Sequence, residues 1–112
     1  MKNISVGRQT AESAAAGEKQ FLKAEAERLG VRYVDVDNIC FDDSLVRRIP
    51  EKTARRFCCI ALAKIGPKII YATPDPFDFN AADTLKGHTG CTAEFVLGSR
   101  EAIMRIIDAV YG

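Results

Sequence analysis

The chain has 112 residues, 47% hydrophobic and 28% charged, with 16 Lys plus Arg against 15 Asp plus Glu. That length suits one globular domain that buries about 65% of its unfolded surface and forms a core without covalent staples. A net charge of +1 gives no electrostatic ground for binding polyanions, no window approaches the ~20 apolar residues of a membrane span, and the N-terminus lacks the apolar run of a secretory signal.

Residues 1–16 are small and polar and read as a mobile leader, which leaves 17–112 as a single domain. A helix is predicted from Glu18 to Leu29, because Phe21, Leu22, Ala26 and Leu29 recur at helical spacing and Gly30 follows as a stop. Val31 to Val36 reads as a short strand that ends in the turn residues Asp35 to Asn38. Asp43 is the predicted cap of one helical turn through Arg48. Pro50 suits the first position of a second short helix that runs to Arg56. Phe57 to Ala63 is a continuous apolar run, as expected of a strand buried on both faces. With Ile69 to Ala72 it forms a hairpin across the turn at Gly66-Pro67.

The prolines of Thr73-Pro74-Asp75-Pro76 hold a rigid loop, and Asp78 caps a helix that runs to Lys86 or Gly87. Cys91, Ala93, Phe95 and Leu97 alternate on one face of a further strand. Ser99 caps the final helix, where Ile103, Ile106, Ile107 and Val110 follow at i, i+3, i+4 and i+7. The order α-β-α-α-β-β-α-β-α predicts an α/β (α+β) fold, a small mixed sheet of three to four strands covered by helices.

Few residues here are arranged for chemistry. Neither G-x-x-x-x-G-K-[ST] nor G-x-G-x-x-G occurs, so the phosphate cradle of a nucleotide hydrolase is missing from these residues. Gly87 and Gly90 flank His88-Thr89, a possible anion nest that reads better as a helix exit. His88 lacks an orienting acid on its own helix face. Asp35, Asp37, Asp42 and Asp43 cluster, but Asp is also the ordinary turn and cap residue, so no metal site is expected. Cys40, Cys58, Cys59 and Cys91 contain no C-x-x-C pair and read as small buried hydrophobes of a reducing compartment. Two arginine pairs remain, Arg47-Arg48 and Arg55-Arg56. They are either solvated helix faces pairing with Asp43 and Glu51 or a partner-binding patch, since the guanidinium fork suits carboxylate and phosphate.

Several segments, in order, resemble a known family. Ala26 to Asp37 is similar to its helix, its Leu-Gly stop and its following strand. Leu45 to Arg56, with Ile49-Pro50-Glu51 at its centre, is similar to its next segment. Ile70-Tyr71-Ala72-Thr73-Pro74-Asp75-Pro76-Phe77-Asp78 resembles its Asp-Pro loop. Thr89-Gly90 and the run from Ile103 to Gly112 match its closing part. Together they make residues 24–112 resemble the N-terminal domain of the type II secretion and type IV pilus assembly ATPases. The resemblance implies a non-catalytic docking domain without cofactor or metal. Its partner would be the cytoplasmic domain of an inner-membrane platform protein, and its location cytoplasmic, with membrane contact only through that partner. The motor and its Walker motifs would lie in a longer parent chain, unless this is a free-standing copy. Arg47, Arg48, Arg55, Arg56 and the first helix are the candidate partner-binding residues. One branch of the family binds cyclic di-GMP through two tandem leucine-rich segments. Here Arg28-Leu29-Gly30 enters a strand instead and Leu22 is the first leucine, so a cyclic di-GMP or other nucleotide sensor is the alternative.

Overall fold

The computed structural model describes residues 19–40 and 42–112. The predicted leader, residues 1–16, and the start of the first helix lie outside the described residues. Helix α1 is described over residues 19–29. It closes as expected at Gly30, whose φ of +74° suits a residue without a Cβ. Gly30 N donates to the Glu27 carbonyl at 3.2 Å and Val31 N to the Ala26 carbonyl at 2.9 Å, the two bonds of a Schellman closure.

The predicted strand at Val31–Val36 is much reduced. It makes one parallel bridge, Tyr33 to Leu97, with Val34 N donating to the Leu97 carbonyl at 2.9 Å and Leu97 N to the Arg32 carbonyl at 2.7 Å. The reason lies at both ends of the pairing. The strand opposite ends at Leu97, and Asp35 bends the chain by accepting from Asn38 N at 3.0 Å and Asn38 Nδ2 at 2.6 Å. A 3-10 turn, Val36–Asn38, follows in place of extended backbone.

Helix α2 spans Asp43–Val46 and α3 spans Glu51–Phe57. The α2 cap is Asp42 rather than Asp43, its carboxylate accepting from Ser44 N at 2.9 Å. Pro50 stands at the N-cap of α3, one place earlier than predicted, where its missing N–H again costs nothing. Phe57 belongs to α3 rather than to the strand. Cys58 then takes a left-handed φ of 52°, unusual for a residue with a Cβ. Its side chain is buried in the core, which holds the backbone there.

Strands β1 (Ile60–Ile65) and β2 (Lys68–Thr73) form the expected antiparallel hairpin, with Ile65 opposite Lys68 and a register shift between Ala61 and Ala63. Helix α4 (Phe79–Thr89) crosses over to β3 (Thr92–Leu97), which pairs parallel to β2. The sheet is therefore mixed, in the order β1-β2-β3. Helix α5 (Arg100–Tyr111) closes the described chain, capped by Ser99.

Alternation along the strands divides the core in two. On one face Ile60, Ala72 and Val96 pack with Val46, Ala54 and the α5 stripe of Ile103, Ile106, Ile107 and Val110. On the other, Ala61, Ile69 and Tyr71 pack with Ile49, Leu85 of α4 and Cys91. Gly98, between β3 and α5, fixes how closely the first layer approaches. A Cβ there would stand 3.0 Å from Val36 Cγ2 and 3.3 Å from both Ala72 Cβ and Ile103 Cδ1. Gly98→Ala is expected to cost about 1–3 kcal/mol by overpacking, read as a lower urea midpoint at unchanged slope.

Candidate docking surface

The last turn of α5 clasps the α2–α3 segment. The Tyr111 hydroxyl lies 2.7 Å from the Val46 carbonyl and 2.6 Å from the Ile49 carbonyl, so its single proton is shared between them. Burial pushes the Tyr111 phenol up from its usual range, which keeps it a donor. Arg47 donates from its guanidinium to the Val110 carbonyl, at the helix end where the α5 dipole favours a cation. Arg55 Nε lies 2.7 Å from Glu51, and its Nη2 lies 2.8 Å from Asp108. Hydrogen bonds to both carboxylates raise the Arg55 pKa further.

The four arginines therefore divide. Arg47 and Arg55 turn inward to α5, Arg47 also reaching Asp43 at 3.6 Å. Arg48 is exposed and has no ion-pair partner among the described residues. It borders a groove of about 480 Å³ between α2 and β1, with Leu45, Leu62, Ala63 and Lys64. Arg56 lies over the Phe57 ring, 5.1 Å from its centroid, and is also exposed.

Helix α1, the other sequence candidate, exposes Phe21 while burying Ala26. Lys19 joins it to Asp35 at 3.0 Å. Hydrogen bonds from Asn38 and Lys19 hold the Asp35 carboxyl below the ordinary aspartate value. The remaining candidates stand apart. His88 Nε2 lies 3.3 Å from Thr53 Oγ1 at the surface. No three His, Cys, Asp or Glu side chains converge among the described residues. Residue types had not pointed to Tyr111 and Asp108. The only signal for them was their place on the polar flank of the strongest amphipathic helix. Nor had they shown that Lys64 and Arg48 border one groove, because helix-to-strand placement is a tertiary fact.

The MshEN domain model matches residues 29–112. The chain belongs to the MshEN domain family. The type IV pilus assembly ATPase PilB of Myxococcus xanthus (strain DK1622) is 24% identical over 106 residues, which cover 95% of this chain and 19% of that protein. This chain thus spans about a fifth of the length of that relative. Among solved structures, MshE with cdg superposes with a TM-score of 0.73 at 26% identity, covering 84% of this chain and 68% of that one. The N-terminal domain of XpsE superposes at 0.67 with 19% identity, covering 96% and 85%, a likeness of fold. This MshEN domain is thus similar in sequence to part of a type IV pilus assembly ATPase and shares its fold with the N-terminal domain of XpsE. Among its described residues no helix is long and apolar enough to cross a membrane.

Two measurements test the site as drawn. Tyr111→Phe removes the donor to two carbonyls and is expected to cost about 1–2 kcal/mol. Arg48→Ala should change stability by less than about 0.5 kcal/mol, as befits an unpaired surface residue. Chemical denaturation of both variants reads the contrast. Cysteine reactivity gives the second. Cys58, Cys59 and Cys91 are buried and Cys40 exposed. Desolvation pushes the Cys59 thiol up to about 12, and that of Cys58 upward too. A thiol reagent at neutral pH is expected to modify Cys40 rapidly in the native protein and the other three only after unfolding.

Proposed function

We propose that this MshEN domain is a non-catalytic docking module. It ties a type II secretion or type IV pilus assembly ATPase, or a related standalone protein, to the cytoplasmic domain of an inner-membrane platform protein. The observation that carries this reading is the family match over residues 29–112. Similarity to PilB over 95% of the chain supports it. The domain, residues 17–112, meets its partner through the surface that bears Arg47, Arg48, Arg55 and Arg56. Arg47 and Arg55 hold α2 and α3 against α5, while Arg48 and Arg56 present guanidinium groups outward. Charged rims of this kind set orientation and association rate more than raw affinity.

Calorimetry with the platform protein's cytoplasmic domain tests the reading. Binding tighter than ~100 µM is expected, without ATP turnover by this domain alone. Arg48→Glu with Arg56→Glu should weaken it by about tenfold or more. Absence of binding at that concentration counts against docking.

A second reading has one observation in its favour, the similarity to MshE with cdg at 26% identity. Under it the domain is a cyclic di-GMP sensor. Titration with cyclic di-GMP separates the two: docking alone predicts no saturable heat, and saturable binding would make nucleotide sensing the function.

A further inference from the structure

Strand β1 is an edge of the sheet. Its backbone pairs with β2 on one side, and no backbone hydrogen bond from Ile60–Ile65 reaches any other element among the described residues. Helix α2 lies beside this edge and leaves the groove of about 480 Å³ between them. The groove floor is apolar, from Leu45, Leu62 and Ala63, and its rim carries Arg48 and Lys64. Ile65, at the end of the strand, is 55% exposed, an apolar foothold beyond the groove.

The groove rim carries a net positive charge, because Arg48 and Lys64 outnumber the single carboxylate of Asp42. The Asp42 carboxylate at the groove end already accepts from Ser44 N, and Asp43 faces Arg47. Arg48 has no carboxylate partner among the described residues, and the Lys64 ammonium reaches only the Gly66 carbonyl, at 2.9 Å. A lysine and a bulge are the devices by which sheet edges discourage indiscriminate pairing. The shift between Ala61 and Ala63 and the charge of Lys64 supply both. The bulge limits pairing to the stretch beyond it, and the Lys64 charge disfavours a basic strand there while favouring one that brings carboxylates.

We infer that the groove between α2 and β1 takes an extended acidic segment of a partner protein, added as a strand along β1. Main-chain hydrogen bonds to the free edge give affinity, and alternate side chains give specificity. Carboxylates meet Arg48 and Lys64, and the apolar residues between them seat against Leu45 and Leu62. This rests on the docking reading and names the chemistry of the partner's contact segment.

The experiment uses the whole chain and two synthetic peptides, one of alternating glutamate and valine and one of alternating lysine and valine. Amide NMR shifts and hydrogen exchange are followed on titration. The acidic peptide is expected to bind, with shifts and slowed exchange centred on Leu62–Ile65 and α2, and the basic peptide to leave both unchanged. Arg48→Glu and Lys64→Glu, both surface substitutions, should each weaken binding by about tenfold. Equal response to both peptides, shifts centred elsewhere, or no response at ~1 mM overturns the inference. The platform domain is titrated separately. If it binds while the β1 amides stay unprotected and neither variant weakens it, docking stands and strand addition falls. If the acidic peptide binds at β1 and the platform domain does not, the groove chemistry stands and the platform as partner falls.

Discussion

Burial of one helix face orders this domain. Ile103, Ile106, Ile107 and Val110 lie within a single apolar layer with Ile60, Ala72 and Val96 of all three strands. Each such side chain contributes about 2 kcal/mol on leaving water, more than a surface ion pair in this structure can supply. The polar contacts of α5 are consequences of that placement. Once the apolar stripe is down, Tyr111, Asp108 and the Val110 carbonyl face α2 and α3, and Arg47 and Arg55 find them. The short helices, too short to stand alone, owe their position to this contact and to Val46 and Ala54 beneath it.

That hierarchy also explains the division among the arginines. Arg55 and Arg56 are adjacent on α3 and so point about 100° apart, while Arg47 and Arg48 lie in the turn that leaves α2 and also diverge. Within each pair, one member meets α5 and the other remains outside. The inward members use exposed or half-exposed partners and are worth little singly. Together they tie the α2–α3 segment to the end of α5, Arg47 at the Val110 carbonyl and Arg55 at Asp108.

What the sequence disclosed depended on how local the cause was. Period and capping found α4, α5 and the hairpin, because Asp78, Ser99 and the Gly66-Pro67 turn act within a few residues. Strand boundaries were less visible. Phe57 and Cys58 have strand-forming character, yet α3 extends through Phe57 and the core holds Cys58 left-handed. Val31–Val36 has strand composition but only one residue of β3 beside it to pair with. The arginines were visible as residue types. Which of them point outward was not, since that is decided by residues more than 50 positions away, Arg47 meeting Val110 and Arg55 meeting Asp108.

The mixed sheet has a temporal consequence. β1 and β2 are joined by two residues, so their pairing closes within microseconds, whereas β3 reaches β2 only after residues 74–91 have crossed over. During synthesis the hairpin emerges before the helices that cover its two faces, α4 and α5, and α5 is the last described element to leave the ribosome. A nascent chain halted before α5 is complete therefore leaves Ile60 and Ala72 uncovered, and residues 100–111 are what bury them.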